Sequence, residues 1–212
     1  PRPISRNGSD RLIRYGFELA KYRQGSPEGN RKVTCVDKSN VTRGCQLFRK
    51  VFDEISSEHP EFETDHAYID AFTQWLVRNP EWFDVVVTSN MFGDIATDLG
   101  SVLQGGMGMA ASGNIGDNHA FFEPVHGSAP KYAGKNQVNP IATLSSVQMM
   151  IEWLGHKNLD AELLQIGSIV EQSIGEQIKE GKILTYDLGG DSSTSEVGTQ
   201  ITQRVTSILA EM

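Results

Sequence analysis

Hydrophobic residues follow two spacings in the first half of the chain, and the two spacings alternate. Val85–Val87 is a short β-branched run, which is typical of a buried strand. Between such runs, apolar residues recur near the helical period, and Ser9 or Asp10 is the expected cap of the first helix. The alternation indicates an α/β fold. The predicted helices are Ser9–Arg23, Arg43–Glu58 and Ile69–Arg78, and the predicted strands are Lys32–Val36, Glu63–Tyr68 and Val85–Val87.

The second half of the chain has a different pattern, with several helices and few strands. Gly100–Gly116 is rich in Gly, Met and small residues, and we interpret its central stretch GGMGMAASGNIG (105–116) as a close-packed connection. Phe121–Pro124 is a short apolar stretch, and His126–Asn139 is a long polar loop. We expect this half to lack sheet partners. The predicted helices are Pro140–Leu154, Leu159–Lys179 and Ser195–Met212.

Two aspartates follow the Val85–Val87 strand. Thr88–Gly93 is polar and contains Gly, which predicts a turn, and Asp94–Asp98 predicts the first turn of a helix. Positions four residues apart share a helix face, so the two carboxylates point the same way. They repel each other unless water screens them or a cation lies between them, and hard oxygen ligands suit Mg²⁺ or Mn²⁺. The alternative is a solvated acidic first turn, which the helix dipole favours.

Length, charge and cysteine content limit the functions that remain. The 212 residues fit one large domain or two small ones, and the net charge of -8 argues against a general nucleic-acid or membrane-surface role. The sequence contains no signal peptide and no apolar run long enough to span a bilayer. Cys35 and Cys45 do not suggest a disulfide framework and favour a reduced, cytoplasmic protein. The chain begins at Pro1, which suggests processing or a fragment of a longer protein.

Four short motifs occur together and in order: VDKSN (36–40), YIDAF (68–72), NMFGDIATD (90–98) and FEPVHGSAPKYAGK (122–135). In this combination the chain resembles the β-decarboxylating dehydrogenases, which act on isopropylmalate, isocitrate, homoisocitrate and tartrate or D-malate. The resemblance implies an α/β fold of the isopropylmalate/isocitrate dehydrogenase type that lacks the N-terminal segment of the cofactor domain. It implies a small central domain over residues 1–104, with the dimer interface and metal site. Residues 105–212 would form the C-terminal part of the cofactor-binding domain.

The resemblance also assigns catalytic and metal-binding residues. In this family a 2-hydroxy acid loses a hydride to a nicotinamide and then loses CO₂, while a divalent metal stabilises the charge on oxygen. Asp94 and Asp98 match the metal-binding pair, and Asp70 matches a third carboxylate that the neighbouring subunit of a homodimer supplies. Lys38 matches the lysine that handles the hydroxyl proton, which makes Lys38 and Asp70 the expected catalytic residues. The alternatives are a surface lysine after a strand and a helix-capping aspartate.

The cofactor assignment rests on a different loop. The chain has no Gly-x-Gly-x-x-Gly motif after a strand, and this family does not use one. The loop that matches Glu123–Lys135 wraps the adenosine half of the dinucleotide in the family. Asn40 matches a residue near the nicotinamide, and Asn139 matches an adenine contact. The remaining backbone and adenine contacts fall on His126, Gly127, Ser128 and Ala129.

Two residues of that loop bear on the choice between NADP and NAD. NAD-dependent members usually carry Asp-Ile where this chain has Lys131 and Tyr132, and an ammonium with a phenol suits a 2′-phosphate. Tyr186 matches another phosphate contact, but the arginine that accompanies it in NADP-dependent isocitrate dehydrogenases is replaced by Gly190. We therefore expect NADP, with NAD as the alternative. A solvated Lys-Tyr pair is the non-functional interpretation.

The substrate class follows from the same resemblance. The EPVHGSAP and DLGG motifs are similar to isopropylmalate and tartrate/D-malate members, whereas PKYAGK and SGNIGD are closer to isocitrate dehydrogenases. We expect a hydroxy-dicarboxylic or tricarboxylic acid of the 3-isopropylmalate or isocitrate type. The alternatives are a decarboxylating tartrate/D-malate dehydrogenase, a non-catalytic regulatory subunit and an inert fragment of the enzyme.

Overall fold

The structure is a computed structural model that describes residues 3–211. The chain divides into two compact units, one through Gly100 and one from Ser101 onward. Each unit is described below by itself. No helix in the described range is both long enough and apolar enough to cross a membrane.

The first unit is built on a three-stranded parallel sheet. Its strands are β1 (Lys32–Asp37), β2 (Glu63–Tyr68) and β3 (Val85–Thr88), in the order β2-β1-β3. Parallel strands need a crossover between them, and here the crossovers are helices. The crossover helices are α2 (Arg43–Ser56) and α3 (Ile69–Arg78), while α1 (Arg6–Tyr22) precedes β1 and α4 (Asn90–Leu103) follows β3. The predicted α/β fold and all three predicted strands are confirmed.

Alternating residues of the strands place a hydrophobic core on each face of this sheet. On one face, Val33 and Val85 pack with Phe17 of α1 and Phe52 of α2. A Cβ at Gly16 would overlap the side chain of Val87, so α1 lies directly against β3. The other face has a second cluster that α3 and α4 cover, consisting of Val36, Ala67, Phe72 and Ala96.

The second unit combines a two-stranded ribbon with three helices. β4 (Ala111–Ile115) pairs antiparallel with β5 (Ala120–Pro124). The helices are α5 (Ile141–Asn158), α6 (Ala161–Glu180) and α7 (Thr194–Ala210), and Ser193 with Glu196 forms a capping box at the start of α7. A cluster of Ile141, Ile174, Val197 and Ile201 joins the three helices.

Three local predictions are wrong. The cap of α1 is Ser5, whose Oγ accepts from the Gly8 N–H over 3.1 Å, and not Ser9 or Asp10. Residues 105–116 are not only a connection, because they contain a 3₁₀ turn and all of β4. The ribbon strands pair with each other, so this half does have sheet partners. The sequence of β4 hides the strand because it contains one β-branched residue, and pairing with β5 defines it.

Candidate functional site

Three parallel strands end at one edge of the first unit's sheet, and predicted site residues follow them. β1 ends at Asp37, and Lys38 comes next along the chain. β2 ends at Tyr68 and leads into α3, whose second residue is Asp70. β3 ends at Thr88 and leads into α4. Ligands of α/β proteins bind at the carboxyl ends of the strands, so this edge is the candidate active site.

Lys38 and Asp70 form an ion pair at this edge. Lys38 Nζ donates to Asp70 Oδ1 over 2.5 Å, and Asp37 stands opposite Tyr68 in the strand register, which brings the two segments side by side. The hydrogen bond from Lys38 lowers the pKa of Asp70, so Asp70 is a carboxylate at neutral pH. The Asp70 side chain is 66% exposed and the Lys38 side chain 25%, which leaves the pair open to a ligand.

The turn after β1 holds Lys38 and Asn40. The Lys38 carbonyl accepts from the backbone N–H groups of Val41 and Thr42, each over 3.0 Å. Gln46 Nε2 donates to the Ser39 carbonyl over 2.9 Å, and Asn40 lies exposed between these anchors. Lys38 and Asn40 therefore lie on a turn whose backbone is fixed by hydrogen bonds.

Asp94 and Asp98 lie one turn apart on the exposed side of α4. The prediction of a turn over Thr88–Gly93 is wrong, because α4 begins at Asn90 and the Gly93 N–H donates to the Ser89 carbonyl over 2.9 Å. Asp94 thus belongs to the second turn. The helix dipole acts mainly within the first turn, so an acidic first turn does not explain these residues.

The carboxylate of Asp94 is held in place by its neighbour one turn back. Asn90 Nδ2 lies 3.0 Å from Asp94 Oδ1 and 3.1 Å from Oδ2. Oriented carboxylate oxygens on one helix face fit a hard divalent cation such as Mg²⁺ or Mn²⁺. Among residues 3–211, however, no three His, Cys, Asp or Glu side chains converge on a point that could hold a metal. The structure therefore does not bring Asp70 together with Asp94 and Asp98 within one chain.

The predicted cofactor loop of the second unit follows β5. Glu123 lies exposed on β5, opposite Ser112. His126 Nδ1 lies 2.9 Å from the Gly127 carbonyl oxygen. Within the described range, the backbone N–H groups of residues 127 and 128 have no protein acceptor. These free donors on an exposed loop suit the oxygen and nitrogen acceptors of a nucleotide.

A tight turn in this loop presents the residues predicted to select the cofactor. Ala129 has a left-handed backbone, with φ 44° and ψ 58°, and a 3₁₀ turn follows over Pro130–Tyr132. Lys131 is exposed on that turn. Such backbone conformations cost energy in a residue with a side chain, and they cluster at active sites and ligand-binding loops.

Tyr132 and Tyr186 come together although they are far apart in sequence. Their rings stack with centroids 6.2 Å apart, and a hydrogen bond with the Tyr132 side chain raises the pKa of Tyr186. Lys135 Nζ lies 5.5 Å from the centroid of the Tyr132 ring. Lys135 was missed as a candidate. The tight turn brings it near Tyr132, since its N–H donates to the Tyr132 carbonyl over 3.1 Å.

Asn139 has a structural task inside the second unit. Its side chain is 7% exposed, its Oδ1 accepts from the Ile141 N–H over 2.9 Å, and its Nδ2 donates to Asp187 Oδ2 over 3.0 Å. Because these hydrogen bonds engage both polar atoms of the side chain, a contact between Asn139 and adenine would be made by the Asn139 backbone.

Gly190 lies in a closed turn after Tyr186. The Gly190 N–H donates to the Thr185 carbonyl over 3.0 Å, and the Ser192 N–H donates to the Leu184 carbonyl over 2.9 Å. A Cβ at position 190 would overlap the carbonyl of Leu184, so this backbone admits only glycine.

The chain is similar to known proteins over nearly its whole length. A family model described as isocitrate/isopropylmalate dehydrogenase matches residues 2–201. A homoisocitrate dehydrogenase of Methanocaldococcus jannaschii is 43% identical over 201 residues, which cover 94% of this chain and 54% of that protein. A Thermus thermophilus protein named isocitrate dehydrogenase [NADP] is 42% identical over 188 residues, which cover 88% of this chain and 36% of that protein.

A solved structure shows the same resemblance in three dimensions. The isocitrate dehydrogenase from Methylococcus capsulatus superposes with a TM-score of 0.84 at 38% identity, over 96% of this chain and 57% of that one. The chain spans about half the length of the homoisocitrate dehydrogenase that it matches.

Proposed function

The chain belongs to the isocitrate/isopropylmalate dehydrogenase family, and from this premise we propose that it forms part of a metal-dependent, decarboxylating dehydrogenase. The substrate is a 3-substituted malate of the 3-isopropylmalate or isocitrate type. A hydride moves from C2 to the nicotinamide of NAD(P), and the hydroxyl proton moves to a base. The bond from C3 to its carboxylate then breaks, CO₂ leaves, and a proton returns to the carbanionic carbon of the product.

The observation that carries the proposal is the Lys38–Asp70 pair at the carboxyl edge of the sheet. Lys38 Nζ, held 2.5 Å from the Asp70 carboxylate, is placed to reach a ligand oxygen at the same edge, and in its neutral amine form it would accept the hydroxyl proton. The family resemblance assigns that role to Lys38. Asp94 and Asp98 follow the neighbouring strand β3 and are the candidate cation ligands, but one chain does not bring them together with Asp70.

Asp94 and Asp98, with Asp70 of a second subunit, would hold the divalent cation. When bound, Mg²⁺ or Mn²⁺ polarises the substrate hydroxyl and offsets the negative charge that develops on oxygen. We propose a homodimer with shared active sites, in which residues 1–104 supply the interface and metal site. The family resemblance supports this arrangement, because there the neighbouring subunit supplies the third carboxylate.

For the cofactor we propose NADP bound by residues 105–212. Lys131 offers a positive charge, and the stacked Tyr132 and Tyr186 offer hydroxyls beside Lys135. The name of the Thermus thermophilus relative adds support, since it specifies NADP. NAD is the alternative, because Gly190 stands where an arginine accompanies Tyr186 in related NADP enzymes.

Two other functions are less well supported. A tartrate or D-malate dehydrogenase would share the same site and differ in the substituent at C3. A non-catalytic regulatory subunit would tend to lose metal-binding or proton-transfer residues, whereas Lys38, Asp70, Asp94 and Asp98 are all present. We place the enzyme in the cytoplasm, and the two free, buried cysteines agree with a reducing compartment.

The direct test is an activity assay of the full-length protein that carries this chain. With Mn²⁺ present, reduction of NADP and NAD is measured with isocitrate, 3-isopropylmalate and D-malate. Lys38→Met should abolish turnover, whereas Lys50→Met, an exposed lysine on α2, should leave it unchanged. Full activity of Lys38→Met with its best substrate would overturn the proposal.

A further inference from the structure

Two cations lie close to the ring of Tyr68 at the candidate active site. The centroid of its ring is 5.6 Å from Lys38 Nζ and 5.2 Å from the guanidinium carbon of Arg49. Both distances fall within the range in which a cation is attracted to an aromatic face. Tyr68 ends β2 opposite Asp37 and caps α3, so its backbone is fixed by the sheet and the helix.

Arg49 is anchored by the carboxylate of Asp37. Asp37 is 1% exposed and accepts two hydrogen bonds from the Arg49 guanidinium. Nε donates to Oδ2 over 2.7 Å, and Nη2 donates to Oδ1 over 3.0 Å. The Ser39 N–H adds a third bond to Asp37, over 2.8 Å. A bidentate pair with a buried carboxylate has one geometry, so the guanidinium is a rigid neighbour for the Tyr68 ring.

Lys38 itself has a fixed backbone and a flexible side chain. The turn bonds described above hold its main chain, but four rotatable bonds separate Nζ from that anchor. Among the described residues, two contacts restrict the ammonium, namely the Asp70 carboxylate and the Tyr68 ring. Asp70 is also a proposed metal ligand. When its carboxylate binds the metal, the Tyr68 ring is the contact that still holds Lys38.

We propose that Tyr68 is a positioning residue, whose ring face holds the Lys38 side chain so that its nitrogen meets the substrate hydroxyl. The hydroxyl of Tyr68 has no part in this role, because the attraction comes from the ring. Asp37 holds Arg49, and Arg49 in turn contacts the Tyr68 ring and limits its movement. This inference rests on the proposed function of Lys38.

The test compares Tyr68→Phe, which keeps the ring, with Tyr68→Leu, which removes it. In the full-length enzyme, Tyr68→Leu should lower kcat about tenfold, which corresponds to about 1.4 kcal/mol in the barrier, while KM for the hydroxy acid changes little. Tyr68→Phe should retain the wild-type kcat. Tyr68 is 38% exposed, so we expect both variants to fold. Their thermal unfolding midpoints check that a lower kcat does not arise from unfolding.

A second readout does not depend on turnover. In protein labelled with [¹³Cε]-lysine, the ring current of Tyr68 should shift the Lys38 ε-methylene signal upfield, and Lys38→Arg identifies that signal by removing it. The shift should persist in Tyr68→Phe and vanish in Tyr68→Leu. Lys32, whose Nζ lies 5.7 Å from the Phe83 centroid, serves as the internal control because its signal should not move.

The outcomes separate the two proposals. Full activity of Lys38→Met overturns the proposed function, whatever Tyr68 does. If Lys38→Met is inactive but Tyr68→Leu keeps both wild-type kcat and the Lys38 shift, only the positioning role is overturned. Equal losses of kcat in Tyr68→Phe and Tyr68→Leu would also overturn it, because the ring alone would then not suffice.

Discussion

Asn139 Nδ2 donates to Asp187 Oδ2 over 3.0 Å, and this bond ties the start of α5 to the turn that carries Tyr186. The other amide atom, Oδ1, caps α5 through the Ile141 N–H. Thr185 Oγ1 donates to the second oxygen of Asp187 over 2.5 Å. The residue that the family resemblance links to adenine therefore also holds the second unit together.

The first prediction follows from this bond. Asn139→Ala leaves the Ile141 N–H and an Asp187 oxygen without their partner, which should lower the free energy of unfolding by about 1–3 kcal/mol. Urea denaturation measures the loss. Gln137→Ala, two residues earlier in the same loop, is the control and should change stability much less. Equal stability of the two variants would contradict the structural role of Asn139.

The second prediction concerns the cation. Asp94→Asn in the full-length protein removes a charged oxygen ligand and should weaken Mn²⁺ binding by more than about tenfold, together with turnover. Calorimetric titration with Mn²⁺ measures the affinity. Asp10→Asn, which removes a carboxylate on α1, is the control for net charge. Wild-type affinity in Asp94→Asn would rule out Asp94 as a ligand.

The third prediction addresses the shared site. If Asp70 of one subunit completes the site of Asp94 in the other, a mixed dimer of Asp70→Asn and Asp94→Asn chains has one intact site and one doubly altered site. Random remixing of the two inactive proteins should then restore about a quarter of wild-type activity. If all ligands came from one chain, every site in the mixture would carry one substitution, and remixing would restore nothing.

The fourth prediction is a change of cofactor. The double variant Lys131→Asp/Tyr132→Ile removes the ammonium that suits a 2′-phosphate and introduces a carboxylate that repels it and accepts from ribose hydroxyls. One charge-assisted hydrogen bond contributes about 1.5–3 kcal/mol, so the preference for NADP over NAD should fall about tenfold or more. Values of kcat/KM for both cofactors measure the ratio.

A charge change elsewhere controls for this result. Lys179→Asp reverses the charge of an exposed lysine on α6 and should leave the ratio unchanged. A wild-type enzyme that already prefers NAD, or a double variant with an unchanged ratio, would show that Lys131 and Tyr132 do not select the cofactor.

The fifth prediction is a dependence of stability on pH. Burial of Glu152 on α5 raises its pKa, and the nearby charge of Glu171 raises it further. The folded state thus binds more protons than the unfolded state between the ordinary and the raised pKa. The free energy of unfolding falls as pH rises through that window, and the penalty is fully present above it.

Glu152→Gln should remove this penalty. We expect it to stabilise the protein by up to about 0.5 kcal/mol near neutral pH and to give no gain at a pH below the window. Urea denaturation at the two pH values measures both effects. Glu162→Gln, an acidic residue in the first turn of α6, should give no gain at either pH, because the helix dipole favours its charge.

The sequence predicts α1, α2 and α3 because apolar residues recur on one face of each helix. Glu63–Tyr68 and Ile69–Arg78 match the structure at both ends. The start of α4 was missed because polar residues and Gly93 resemble a turn, and only the backbone bond to Ser89 shows the helix. The strand β4 was missed because its pairing partner, and not its composition, makes it a strand.

Sequence patterns do not predict contacts that depend on strand register or on two distant loops meeting in the fold. The Lys38–Asp70 pair needs Asp37 opposite Tyr68, and nothing in either motif states that register. The stacking of Tyr132 on Tyr186 joins two loops separated by α5 and α6. The sequence could therefore name candidate residues through the resemblance, but their geometry had to come from the fold.

The closed turn around Gly190 limits how this protein can evolve. A codon change that introduced arginine at position 190 would place a side chain into the Leu184 carbonyl, so it would harm the fold before it could improve phosphate binding. The turn would have to open first, through changes that bring no benefit of their own. An arginine that is favourable in a related enzyme is thus inaccessible here in one step, and stronger NADP binding can be gained more readily by altering the loop that carries Lys131 and Lys135.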